Sequence, residues 1–294
     1  LTVIHTTFMG LGALPVFLIA RHHLHSLMLA FVFALAYLLF PAIQLPNLSD
    51  FHETLLVPPL FLFVMYYLDR RQYWLSALFA LLAIGCKEDM SIPIVLIGMY
   101  ALFNKQSRLF GIFLTIFGTL WFVVIIFIVM PIFGHIDPLL YVSASPLTDG
   151  QNMNIIDKLS GIVSQTLTVS KISTIPHLLL PLGFLSLAGI LESMLWVGPL
   201  LVLMLYTGPP YDIVGTIYSW HITTVVPFVF YSAIKGTHWV MGQLAKYVAE
   251  NADIFENMLT SIVFCAVSRP SHVWSWEIQC LWHKLSRLSC RLAL

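Results

Sequence analysis

Apolar runs separated by short polar breaks fill most of this chain, a pattern that reads as a series of membrane helices. The runs extend approximately over Thr2–Ala20, Ser26–Leu45, Thr54–Leu68, Tyr73–Cys86, Met90–Phe103 and Leu109–Pro131. After a polar stretch come Pro176–Gly189, Met194–Tyr206 and Thr216–Ile234. The pattern predicts an all-α fold, a polytopic helical bundle of about nine spans. Pro58-Pro59 falls inside the third run, where proline kinks a helix or splits it into half-helices. The interval from Gly134 to Thr174 is the longest polar stretch. Its apolar residues Ile155, Ile156, Leu159, Ile162 and Val163 follow a helical period that suits a helix lying on the membrane surface.

Lys87-Glu88-Asp89 interrupts this pattern most sharply, placing three consecutive ionisable residues between two apolar runs. A helix needs roughly 20 apolar residues to cross a hydrocarbon core about 30 Å thick. Each flanking run has only about 14, which at about 1.5 Å per residue reaches roughly 21 Å. Either neighbouring polar residues complete the spans or the turn lies below the bilayer surface. Charges at that depth cost at least about 2.5 kcal/mol each on insertion scales, so they usually face a polar cavity and mark function. The competing reading is a hairpin cap in which Lys87 pairs with one carboxylate.

Composition agrees with the hydropathy pattern. Apolar residues make up 59% of the chain and charged residues only 10%, against about 25% charged in soluble domains. The mean hydropathy is +0.89. A formal net charge of zero argues against electrostatic capture of nucleic acid. The four cysteines, Cys86, Cys265, Cys280 and Cys290, have no CxxC spacing, so neither a zinc site nor a disulfide framework is indicated. The expected organisation is a multi-span membrane domain over residues 1–236. Residues 237–294 then form a cytoplasmic helical tail or, if the reading frame shifts, an aberrant C-terminus.

Basic residues orient the spans. Loops after the odd-numbered runs hold Arg21, Arg70, Arg71, Lys105, Arg108 and Lys235, whereas the alternate loops hold Lys87, Lys158 and Lys171. The positive-inside rule puts the first set in the cytoplasm. Asp50, His52, Glu53, Lys87, Glu88, Asp89, His135, Asp212 and His221 then gather at the outer face of the cell membrane.

The order of these motifs resembles a known family. Asp50-Phe51-His52 follows an apolar span, Lys87-Glu88-Asp89 comes one hairpin later, and the next span carries Gly118 and Trp121-Phe122 and closes at Pro131 and Phe133. Tyr218-Ser219-Trp220-His221, Pro227-Phe228 and Gly236 follow. This arrangement is similar to the bacterial and archaeal membrane-protein family catalogued as domain of unknown function 2079, over roughly Leu1 to Gly236. That family is grouped with the C-type glycosyltransferases (GT-C), multi-span enzymes that take sugars from polyprenyl-phosphate carriers at the outer membrane face. The resemblance implies that fold and activity by analogy. The chain departs from the family pattern at Glu53, where proline is frequent after the Phe-His pair. GT-C enzymes carry a catalytic carboxylate in their first outer loop, which the resemblance places upstream of Leu1. The expectation is therefore a fragment lacking N-terminal spans.

Independently of that likeness, the outer residues suit transfer from a phosphate-linked carrier. The reaction needs a base for the acceptor hydroxyl and positive charge for the departing phosphate. Asp50, Glu88 and Asp89 are the candidate catalytic carboxylates. Lys87, with His52, Glu53 and His221, is the candidate substrate-binding set. His52 with Asp50 or Glu53 leaves room for a divalent metal, but the spacing matches no specific metal motif. Alternatively, Asp50 or Ser49 simply caps the third helix, with Glu53 favouring its dipole. Arg21-His22-His23-Leu24-His25 reads as a solvated, topology-setting turn, and Tyr66, Tyr67, Tyr73 and Trp74 as an interfacial aromatic belt. The expected partners are membrane lipid and a polyprenyl-phosphate sugar donor. The alternative function is a secondary transporter with an outward-facing polar site.

Overall fold

A computed structural model describes residues 2–48, 51–104, 106–134, 174–179, 182–188, 195–200 and 219–250, and every described element is helical. Expectations for the 155–169 surface helix, for Asp50, His135 and Asp212, and for residues 251–294 lie outside the described residues. The first eight helices are α1 (Thr2–Leu11), α2 (Ala13–Leu24), α3 (Leu27–Leu38), α4 (Pro41–Asn47), α5 (Val57–Asp69), α6 (Tyr73–Ile84), α7 (Ser91–Leu102) and α8 (Arg108–Val124). Three more follow: α9 (Thr174–Leu179), a helix over 195–200 that we denote α10, and α11 (Val226–Glu250).

Local chemistry explains the breaks. Ser26 caps α3 by accepting a hydrogen bond from Leu29 N at 3.3 Å, which satisfies one of the orphan N–H groups of a helix start. Pro41 sits in the first turn of α4, where its missing N–H costs nothing. The same logic corrects the expectation for Pro58-Pro59. Both lie in the first turn of α5, and a 3-10 turn over Glu53–Leu56 precedes them. They mark the point where the run divides into a 3-10 turn and an α-helix and do not kink α5, because first-turn residues need no N–H for an intrahelical bond.

Among the described residues, three stretches are long and apolar enough to cross a membrane: Val3–Leu24, Leu27–Asn47 and Arg108–Phe133. The last runs from α8 into a π-helical stretch over Ile125–Gly134. Its outer side leaves Leu109, Ile112, Phe113, Ile116, Leu120 and Phe127 exposed, a band of contiguous apolar surface of the kind that contacts lipid. The N-terminal half of α11 is the opposite case. Val226, Phe228, Val229, Phe230, Tyr231, Ala233 and Ile234 are all buried, as expected of a helix apolar on every side at the centre of a bundle. Phe230 meets Tyr37 and Phe40 edge-on at ring-centroid distances of 5.4 and 5.1 Å, and Phe228 packs on Phe61 at 5.4 Å.

Two compact units emerge, 1–241 and 242–294, and α11 runs without interruption past Gly236. In the first, α7 packs on α8, α2 on α3 and α5 on α6. The α7–α8 seam closes on glycine. A Cβ on Gly98 would come within 2.7 Å of Thr115 N, and one on Gly111 within 2.8 Å of Gly98 O.

The basic end of the bundle corrects the reading of His23 as a solvated residue. His23 Nε2 lies 2.6 Å from Asp69 Oδ2, with the two side chains 14% and 13% exposed. Tyr231 donates its hydroxyl to the other carboxylate oxygen at 3.0 Å. One carboxylate thus ties the ends of α2 and α5 to the central helix. Tyr73 donates to Gln106 O at 2.8 Å, so this tyrosine ties the start of α6 to the α7–α8 loop, while Trp74 remains 70% exposed as an interfacial residue would.

Candidate functional site

Three short 3-10 turns build the end of the bundle opposite that carboxylate. Each is seated by buried residues: Thr54 and Leu55 in the Glu53–Leu56 turn, Met90 after Glu88, and Ile222, Thr223 and Thr224 in the Trp220–Thr224 turn. Each opens on an extended residue, namely His52, Lys87 or Ser219. An extended residue before a tight turn projects its side chain away from the turn axis, which is how these side chains meet.

Lys87 Nζ lies 2.9 Å from His221 Nε2, across 134 residues of chain. It is also 3.8 Å from Asp89 Oδ2, with only 17% of the lysine side chain and 10% of the aspartate exposed. An ammonium only donates, so Nε2 accepts and carries no proton. The proton of the neutral imidazole is then on Nδ1, where Ser219 Oγ waits at 3.2 Å. The same hydroxyl oxygen accepts the His221 backbone N–H at 3.3 Å. Lys87 therefore selects the tautomer, and Ser219 holds the ring orientation. Next to this chain, the His52 ring stacks on Trp220 at 3.6 Å and 12°.

The expected residues thus separate into groups. Lys87, Asp89 and His221 form one contiguous polar chain, and His52 joins it through Trp220. Glu53 is exposed on the turn that packs against Trp220–Thr224. Glu88 is placed within the 3-10 turn by its backbone, and Asp50 lies outside the described residues. Ser219 and Trp220 were not singled out by their chemistry in the sequence. Their signal was proximity to His221 within one polar tetrad, Tyr218-Ser219-Trp220-His221. Among the described residues there is no group of three or more His, Cys, Asp or Glu side chains able to hold a metal.

Depth adds a constraint. From Val57 to Asp69, α5 spans 13 residues, about 20 Å. The turn that opens on His52 precedes its first end and the His23–Asp69–Tyr231 cluster closes the other. Since the hydrocarbon core is about 30 Å thick, the bilayer thins around this helix or polar groups sit below headgroup level, where they must face protein.

All-helical architecture, apolar surface on the long helices and inward polar pairs define a helical membrane protein. The chain belongs to the family described as predicted membrane protein (DUF2079), whose profile matches residues 1–276. No curated protein and no solved structure matched it.

Proposed function

We propose that this multi-pass protein of the cell membrane is a GT-C-like transferase that moves a sugar from a polyprenyl-phosphate carrier at the outer face. The observation that carries the reading is the half-buried Lys87 ammonium, held between a neutral His221 and the Asp89 carboxylate. A cation in a partly desolvated site is suited to the charge that develops on a departing phosphate. In the proposed step, the acceptor hydroxyl oxygen attacks the anomeric carbon of the donor as the bond from that carbon to the phosphate oxygen breaks. The phosphate leaves with the electron pair and is met by Lys87. The hydroxyl proton passes to Asp89, or to Glu88 in the same turn. His221 gives up its contact with Lys87 as phosphate arrives, and its fixed tautomer leaves Nε2 free to accept a proton. The stacked His52–Trp220 pair forms one wall beside the reacting groups, and Glu53 is exposed on the turn that packs against Trp220–Thr224.

The test is donor turnover by the purified protein in proteoliposomes, over a panel of polyprenyl-phosphate sugars, for wild type and Lys87→Met. Turnover is expected to fall about tenfold to a thousandfold, the scale of a lost charge-stabilising contact at roughly 1.4–4 kcal/mol. Protonation of Asp89 relieves the unpaired charge, so the melting temperature should change less than activity does. Unchanged turnover per folded molecule in Lys87→Met would end the case for Lys87 as a phosphate contact. The polar clusters at both ends of the 13-residue α5 favour the second reading, a secondary transporter. Solute uptake without donor consumption would select it.

A further inference from the structure

A cavity of about 190 Å³ opens at the basic end of the bundle, away from Lys87. It draws on four segments distant in sequence: the end of α2 (His22, His23), the turn after α5 (Arg71), the α7–α8 loop (Asn104, Gln106) and mid-α11 (Lys235). Its single carboxylate, Asp69, is already engaged on both oxygens, by His23 and by Tyr231. Neither Arg71 nor Lys235 makes an ion pair among the described residues; Lys235 only overlies the Tyr231 ring at 5.7 Å. The cavity therefore sets two cations outside any described ion pair, Arg71 and Lys235, against one hydrogen-bonded carboxylate, beside the side-chain amides of Asn104 and Gln106.

Arg71 has a second peculiarity. It occupies the left-handed position that terminates α5, with φ 58°. Its N–H bonds Leu68 O at 3.0 Å, and Gln72 N–H bonds Tyr67 O at 2.9 Å, the Schellman closure in which glycine is the favoured residue. A side chain here is conformationally disfavoured, so the position is occupied by arginine against local preference. Arg71 is one of the residues that line the cavity.

We propose that this cavity binds a phosphate group. A guanidinium fork and an ammonium set around amide donors match an anion with several oxygens, which can accept from each at once. The volume admits one phosphate with a few waters, each of which takes about 30 Å³ in the liquid. The phosphate belongs either to an anionic lipid headgroup or to a soluble phosphate compound. Basic pockets between membrane helices collect anionic headgroups, and the two arms of the test separate that source from a soluble one.

The test measures the melting temperature of the full chain in nanodiscs, for wild type, Arg71→Gly and Lys235→Gln. One arm adds inorganic phosphate, with sulfate at equal ionic strength, to phosphatidylcholine discs. The other compares phosphatidylcholine with phosphatidylglycerol discs. In wild type, phosphate or phosphatidylglycerol should raise the melting temperature with a saturating concentration dependence, as binding to the folded state requires. Arg71→Gly and Lys235→Gln should lose that increment. Arg71→Gly discriminates site from scaffold, because glycine relieves the left-handed backbone and should leave the ligand-free melting temperature equal or higher. Saturable protection by free phosphate identifies a soluble compound, and protection by phosphatidylglycerol alone identifies a lipid headgroup. Protection absent in both arms, or retained in full by Arg71→Gly and Lys235→Gln, would overturn the proposal.

Discussion

At the residue scale, Asp69 and Lys87 occupy similar chemical positions with different consequences. Each is a half-buried charge with two partners, but Asp69 joins three helices whereas Lys87 sits among short turns. Asp69 is therefore expected to act chiefly on stability. Asp69→Asn keeps one acceptor oxygen and loses the charge assistance in its bonds to His23 and Tyr231. Hydrogen bonds to charged groups contribute about 1.5–3 kcal/mol, so thermal unfolding should register a loss of about 1–3 kcal/mol. A melting temperature unchanged from wild type would show that the cluster does not clamp the helices. Of these contacts the sequence made only the residue types legible. His23 lies in a run of histidines that looks like a solvated turn, and nothing local marks Asp69, 46 residues later, as its partner.

At the scale of elements, hydropathy and proline placement account for most boundaries. The first two apolar runs correspond to helix pairs, α1–α2 and α3–α4, and the third to a 3-10 turn followed by α5. Pro58-Pro59 misled because the rule against proline applies to a helix interior, and these residues fall within the first turn. The α7–α8 seam depends on atoms the sequence does not have: the absent side chains of Gly98 and Gly111 let the two backbones meet. Gly98→Leu should overpack this contact and cost about 1–3 kcal/mol, read as a lower melting temperature. The same substitution at Gly10, where a Cβ meets nothing within 4 Å, should be close to neutral. Equal effects at both positions would argue against close approach as the role of Gly98.

For the whole molecule, the segregation of basic residues predicts orientation. In a cysteine-free background, Cys introduced at Glu53 or Gly85, both exposed, should react with an impermeant reagent on intact cells. Cys at Gln72 or Gln106, exposed at the opposite end, should react only after permeabilisation. Labelling of Gln106→Cys from outside, with Glu53→Cys protected, would invert the topology. The sequence by itself determined the class, the helical content and the family, because hydropathy and the order of short motifs are properties of neighbouring residues. Only the tertiary structure decided that Lys87 faces His221 across 134 residues and that Tyr231 reaches Asp69 across 162. These pairings follow from which helix faces pack together and from the side-chain directions set by turns. No periodicity in the chain encodes a partner at that separation.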